Sequence, residues 1–201
     1  MPAKYPVIPA VAVLPIATLL ALLRAGEQSA AHAFSRISHR LSAGELQIAS
    51  SSLQALIADE QRHDDALATH CGAMPQVAIS DAPTRRFFRA LESREPIVHL
   101  ARVAALDSCV CQVLTRVLVR TPQAQLGSSL TNLLLRIRAD EAQHVRVTRT
   151  LARAMGADIP MLRVVSWEVR QAFSALLVPR AAAFEALGVD SGALISRIRR
   201  D

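Results

Sequence analysis

Hydrophobic residues recur along this chain at alternating steps of three and four, the spacing that places side chains on one face of an α-helix. Four long segments carry such a stripe, and the pattern predicts helices over residues 14–41, 45–70, 96–119 and 128–155. Only Ser42-Ala43-Gly44 separates the first two segments, and a short link favours antiparallel neighbours. The four helices are therefore expected to form two hairpins of one all-α domain.

An acidic residue interrupts each stripe near its middle. These residues are Glu27, Glu60, Asp107 and Glu141. A buried carboxylate without a partner costs several kcal/mol, so each needs a group that offsets the loss of water. Within each predicted hairpin the two acids are 33 and 34 residues apart, which brings both members of a pair to the same height. The two halves thus look like copies of one helical hairpin.

A short string also occurs twice, 81 residues apart, as Ala58-Asp59-Glu60-Gln61-Arg62-His63 and Ala139-Asp140-Glu141-Ala142-Gln143-His144. In each copy Glu and His are three positions apart and share a helix face. Four carboxylates and two imidazoles match the ligands that two first-row metal ions require. Asp59 and Asp140 can accept the spare N–H of a ligand imidazole and fix its orientation. Arg62 is a further donor for this polar network.

The two strings resemble the motif of the ferritin-like di-iron carboxylate superfamily, which is Asp/Glu-Glu-x-Arg-His on the second and fourth helices with one acid on each of the others. Gln143 replaces the arginine of the second copy, and Asp107 stands where glutamate is usual. The resemblance covers about residues 14–155 and implies a ferritin-like four-helix bundle with a long crossover between its hairpins. It also implies the metal ligands Glu27, Glu60, His63, Asp107, Glu141 and His144.

The remaining segments are expected to be helical additions to a single domain of residues 1–201. A crossover over residues 73–94 holds a short amphipathic helix near 84–91, and a fifth helix follows Pro160, with two short pieces after Pro179. The apolar stretch 5–23 is read as a lead-in to the first helix, since prolines interrupt it, rather than as a secretion signal. Three cysteines without regular spacing suit a reducing, cytoplasmic compartment.

Composition adds little to the prediction of fold and function. Hydrophobic residues make up 51% of the chain but aromatic residues only 3%, which favours helices packed on helices. The formal net charge of +6 permits an acidic partner such as nucleic acid without identifying one. The arginines are spread through the chain, with a dense cluster only in the tail at Arg197, Arg199 and Arg200.

The resemblance implies an oxygenase or oxidase that binds two iron ions, or manganese or a mixed pair, and uses O₂ to hydroxylate, N-oxygenate or desaturate a small organic substrate. Its expected pocket walls are Leu23, Ala30, Ala31, Phe34, Leu56, Val103 and Val110. Electrons would come from a separate ferredoxin or flavoprotein, and a homodimer is compatible with the sequence. A tRNA-modifying hydroxylase, iron storage and a metal-free bundle stay open as alternatives, although storage cages need acidic inner surfaces.

Overall fold

The computed structural model describes residues 10–72 and 82–200, and all regular secondary structure in these ranges is helical. The helices are α1 (Ala10–Ser38), α2 (Ala43–Cys71), α3 (Ala82–Leu91), α4 (Pro96–Arg120), α5 (Gln123–Leu126), α6 (Ser128–Ala154), α7 (Ile159–Leu177), α8 (Ala181–Ala186) and α9 (Ser191–Arg200). A 3₁₀ turn, Val178–Arg180, joins α7 to α8. The all-helical prediction is confirmed. The start of the apolar lead-in (5–9) and the first nine residues of the expected crossover (73–81) lie outside the described residues.

Local chemistry explains where the long helices begin and end. Ser42 and Glu45 form a reciprocal capping box at the start of α2, in which the Glu45 carboxylate accepts from the Ser42 N–H at 2.8 Å. Pro96 occupies the first turn of α4, where its missing N–H costs nothing. Pro15 lies inside α1, which begins at Ala10, four residues before the predicted start at residue 14.

The long helices pack as two hairpins in extensive contact, α1 with α2 and α4 with α6, and the hairpins meet through α2 and α6. The short link between α1 and α2 makes that pair antiparallel. Arg24 of α1 donates to Asp64 of α2 at 2.7 Å, which fixes the register of this hairpin one turn from Glu27 and Glu60.

The apolar interior is divided into two clusters with a polar layer between them. The larger cluster includes Leu20, Leu67, Leu114 and Leu134 and extends under α7 and α9. The smaller cluster is built from Phe34, Ile37, Leu41, Ala49, Leu53, Leu56, Leu100, Val103, Leu151, Ala152 and Ala157. On α1, α2 and α6 the acidic residue lies between the positions that enter the two clusters, and on α4 Asp107 lies between Val103 of the smaller cluster and Cys109 of the larger one. The interruption seen in each sequence stripe is therefore one continuous layer across the fold.

The C-terminal helices cover the second hairpin. α7 packs along α4, and α9 contacts both α4 and α7. Thr121 at the end of α4 donates to the Leu187 carbonyl at 2.7 Å, and both residues are buried. Gly188 follows with φ +76°, and a Cβ there would lie 3.1 Å from the Arg120 carbonyl oxygen, so this close approach requires glycine.

By length and composition alone, α4 is the helix among the described residues that could cross a membrane, with a mean hydropathy of 1.5. However, 61% of its most apolar window is buried against other helices, and α4 also carries the buried Asp107. The core helix of a soluble protein passes the same test, so this is weak evidence for a membrane span.

His99 gives the fold a pH dependence that is separate from the polar layer. Its side chain is buried, its Nδ1 accepts from the Ser93 N–H at 3.1 Å, and burial lowers its pKa to about 4. The unfolded chain binds a proton near pH 6.5, whereas the folded chain stays neutral at His99 until about pH 4. This contribution to stability is therefore complete above pH 6.5 and is lost as the pH falls toward 4.

We expect the wild type to lose about 2 kcal/mol more stability between pH 7.5 and pH 5 than a His99→Gln variant loses. Urea unfolding at the two pH values measures this difference. His32→Gln changes an exposed histidine and is the control, because it should keep the wild-type pH dependence. Equal pH dependence in wild type and His99→Gln would contradict the assignment.

Candidate metal centre

The polar layer contains six ionisable side chains, each exposed by no more than 5%. They are Glu27 on α1, Glu60 and His63 on α2, Asp107 on α4, and Glu141 and His144 on α6. The structure thus brings together all six residues that the sequence analysis proposed as ligands. Helical spacing accounts for this, since Glu and His three positions apart project from the same face of α2 and of α6.

The six side chains fall into two overlapping groups. Within each group the ligand atoms lie within 4.8 Å of one another. One group is Glu27, Glu60, His63 and Glu141, and the other is Asp107, Glu141 and His144. Glu141 belongs to both groups. The rings of His63 and His144 are 6.0 Å apart, so one histidine is available on each side of Glu141.

The Glu141 carboxylate lies between the two imidazoles. Its Oε1 is 3.8 Å from His63 Nδ1, and its Oε2 is 3.8 Å from His144 Nδ1. Shorter distances tie each imidazole to a carboxylate of the first hairpin: His63 Nδ1 is 3.0 Å from Glu27 Oε2, and His144 Nδ1 is 3.2 Å from Glu60 Oε1. Both Nδ1 atoms therefore face the carboxylates in the interior of the bundle.

The opposite nitrogen of each imidazole contacts an aspartate of the other motif. His63 Nε2 is 3.0 Å from Asp140 Oδ2, and His144 Nε2 is 3.3 Å from Asp59 Oδ2. An aspartate at that position accepts the Nε2–H, so a neutral imidazole would present its Nδ1 lone pair to a cation in the interior. In each motif the glutamate thus faces the interior, and the aspartate contacts the histidine of the other motif.

Arg62 lies at the outer edge of this arrangement. It is largely exposed and forms an ion pair with Asp59 at 2.5 Å, so its effect on the interior passes through that aspartate. The equivalent position of the second string is Gln143, whose side-chain carbonyl accepts from Arg146. Asp140 consequently lacks the arginine partner that Asp59 has within its own motif, and its side chain is more exposed.

Three buried polar atoms of the layer have no hydrogen-bond partner among the described residues: Glu60 Oε1, Asp107 Oδ2 and His144 Nδ1. Glu60 Oε1 and His144 Nδ1 are close enough to bond, but their relative orientation does not form a hydrogen bond. Buried polar atoms of this kind are rare because each costs free energy when left unpaired. Glu60 belongs to one ligand group, and Asp107 and His144 belong to the other, so cations held by the two groups would give these atoms partners. These residues therefore fit a metal site.

Burial also shifts the pKa values of the side chains in the polar layer. Desolvation, followed by the neighbouring carboxylates, raises the pKa of Glu60 to about 8 and raises the pKa values of Glu27, Asp107 and Glu141. Burial lowers the pKa of His144, but the neighbouring carboxylates of Glu141 and Glu60 outweigh it and raise that pKa to about 12. Without a metal, the cluster therefore holds protons near neutral pH. Divalent cations compete for these positions.

An apolar cavity of about 30 Å³ adjoins the carboxylates. Its walls are Leu19, Leu22, Leu23, Gly26, Ala30, Phe88, Leu106, Val110, Val113 and Phe173, with Glu27, Glu60, Asp107 and Glu141 at its polar end. A water molecule requires about 10–15 Å³ of such space, so the cavity admits a water molecule or a diatomic gas. The room for an organic molecule that the sequence analysis expected is absent from this conformation of the described residues.

The seven expected pocket residues divide between the cavity and the core. Leu23, Ala30 and Val110 line the cavity, whereas Ala31, Phe34, Leu56 and Val103 do not. Phe34, Leu56 and Val103 belong to the smaller apolar cluster on the other side of the acids.

Phe88 of α3 and Phe173 of α7 also line the cavity, although the sequence pattern predicted neither as a wall. The amphipathic pattern around residues 84–91 was the available signal for Phe88, since it marks a face that must be buried. Nothing in the sequence pointed to Phe173.

A scan against protein-family models found no match to this chain, and searches of curated proteins and of solved structures found none either. The assignment of the site therefore depends on the geometry and burial of its residues.

Proposed function

We propose that the chain is a ferritin-like di-iron protein that uses O₂ to oxidise a small organic substrate. The observation that carries this proposal is the pair of overlapping ligand groups that share Glu141 in a dry interior. Four inward carboxylates with one imidazole per ion suit iron, and they suit manganese or a mixed pair equally well.

In this proposal the two groups divide the ligands between the ions. Glu27 and His63 would hold one ion, and Asp107 and His144 would hold the other. Glu141 would serve both ions, since its two oxygens face different histidines, and Glu60 lies close enough to His144 to serve both as well. Iron held there in its reduced state would supply electrons to O₂. An electron donor such as a ferredoxin or flavoprotein would restore the reduced state.

The surrounding residues support this chemistry in two ways. Asp59 and Asp140 hold the imidazole tautomers that direct Nδ1 inward. Leu23, Phe88 and Phe173 line the cavity next to the carboxylates with apolar surface, and such walls exclude bulk water from a reactive centre. The cavity admits O₂, while an organic substrate would have to displace side chains such as Phe88 to reach the carboxylates.

The small cavity favours one second candidate, which is oxidation of Fe(II) itself without an organic substrate. The same ligands would serve, and the product would be ferric iron bound to the protein. The two candidates differ in what becomes oxidised: an organic molecule in the first, and only iron in the second.

Oxygen uptake tests the proposal. Protein loaded anaerobically with two Fe(II) per chain is expected to consume O₂ faster than free Fe(II) in the same buffer, because the ligands hold two irons side by side. Glu168→Ala, which changes an exposed acid of α7, should keep this rate. An oxygen electrode measures it. Uptake no faster than that of free Fe(II) would overturn the proposal.

A further inference from the structure

A second and much larger cavity, of about 450 Å³, lies between α4, α6, α7 and α9. Alanines of α4 line one side, and the other walls include Trp167 and six arginines: Arg149, Arg153, Arg163, Arg170, Arg199 and Arg200. Its volume falls within the range of small-molecule sites in proteins. It shares no lining residue with the cavity beside the carboxylates, so it is a separate feature of the fold.

The charge of this cavity has one sign. Six arginines from three helices line it, and no aspartate or glutamate does. Taking these six from the chain's 23 basic residues leaves 17, which equals its 17 acidic residues. The formal excess of +6 can thus be assigned to the walls of one cavity. Such a concentration of cations attracts and holds anions.

Arg170 is the residue that indicates a bound anion most directly. Its side chain is 7% exposed, its Nε donates to Ser166 Oγ at 3.0 Å, and its Nη1 is buried without a partner among the described residues. A buried guanidinium with an unsatisfied nitrogen and no carboxylate beside it is costly. An anion in the cavity would offset that cost with charge-assisted hydrogen bonds.

Trp167 adds an aromatic wall. It is the one tryptophan of the chain, and its side chain is 61% exposed although it lines the cavity. No ring or cation–π contact involves it within residues 10–72 and 82–200. An indole held open beside guanidinium groups suits a ligand that has an aromatic ring as well as phosphate groups, because ring stacking and ion pairing then act together.

We propose that this cavity binds a nucleotide-type ligand, with its phosphates on the arginines and its base against the indole of Trp167. Arginine matches phosphate oxygens with two parallel hydrogen bonds. A concave site between four helices favours a free mononucleotide over the backbone of an RNA, which requires an extended basic surface. The site is independent of the metal centre, so binding is expected in metal-free protein as well.

ADP is a suitable probe, since it combines two phosphates with an adenine ring. Metal-free protein titrated with ADP is expected to show saturable quenching of tryptophan fluorescence, and the signal is specific because Trp167 is the one tryptophan. Pyrophosphate should bind more weakly than ADP, and adenosine more weakly still, when calorimetry compares the three. Glu141→Ala protein should bind ADP like the wild type, which keeps this test independent of the proposed oxidase function.

Substitutions of the cavity walls test whether ADP binds in this cavity. Arg149→Gln combined with Arg153→Gln changes two exposed wall residues and should weaken ADP binding about tenfold or more. Trp167→Ala should weaken ADP binding about tenfold while leaving pyrophosphate binding unchanged. Arg136→Gln is the matched control, because it removes an exposed arginine of α6 that does not line the cavity.

Three results would overturn the proposal. The first is the absence of ADP binding at millimolar concentration. The second is an equal loss of ADP affinity in the Arg136→Gln control and the cavity variants, which would indicate nonspecific charge attraction. The third is binding of tRNA that ADP does not displace, which would make this face a nucleic-acid surface.

Discussion

Glu141→Ala is expected to reduce the metal content of the protein from about two ions per chain to near zero. Glu141 belongs to both ligand groups, and its two oxygens face different histidines, so its removal affects both positions at once. The helices should remain, because α6 keeps its apolar contacts and alanine favours helix. Metal analysis after anaerobic loading with Fe(II) and desalting measures the content, and circular dichroism checks the helices.

Single-group variants make this prediction sharper. Asp107→Ala should leave about one ion per chain, since Asp107 belongs only to the group with His144. Glu27→Ala should likewise leave about one ion, bound on the other side. Glu168→Ala is the control and should keep both ions. Unchanged metal content in Glu141→Ala with intact helices would contradict the assignment of ligands.

Divalent metal is expected to stabilise the metal-free protein strongly. Free metal at about 1,000 times its dissociation constant adds about 4 kcal/mol to the free energy of unfolding. For a chain of this length that corresponds to a rise of about 8–16 °C in Tm. Mn²⁺ is a suitable ion, because it accepts the same ligands and reacts less with air than Fe(II). Thermal unfolding with chelator and with Mn²⁺ measures the difference.

Replacing a buried acid with a neutral side chain is also expected to stabilise the metal-free protein. Asp107→Asn should raise the stability of the metal-free protein by about 2 kcal/mol at pH 7.5, since Asp107 has lost its water and has an unpaired Oδ2. The same variant should gain less from Mn²⁺ than the wild type gains. A wild type that Mn²⁺ does not stabilise, or an Asp107→Asn protein that is less stable without metal, would contradict a layer built for cations.

Much of the fold was predictable because each long helix contributes a regular apolar stripe. The four acids share one layer as their spacing predicted, since antiparallel helices with short links return to the same height. The helix ends were less predictable: α1 begins at Ala10 and ends at Ser38, whereas the apolar stripe predicted a helix over residues 14–41. Asp59 contacts His144 of the other motif, and Asp140 contacts His63. These contacts depend on how the two hairpins face each other, which the helical periodicity does not show.

The cavities were the least predictable part of the molecule. Small side chains around the acids suggested open space, but Phe88 from α3 and Phe173 from α7 fill it. The cluster of six arginines was also invisible along the chain, because Arg149 and Arg200 are 51 residues apart and meet only when α9 packs near α4 and α7. Cavities depend on which helices cover a face, and the stripes do not specify that.

The central claim is that two metal ions lie among the six buried side chains of the polar layer. Anomalous diffraction at the manganese edge, from crystals grown with Mn²⁺, tests this most directly. We predict two peaks on either side of the Glu141 carboxylate, one near His63 Nδ1 and one near His144 Nδ1. The absence of any peak among the six side chains, with Glu27 or Asp107 turned out toward solvent, would contradict it.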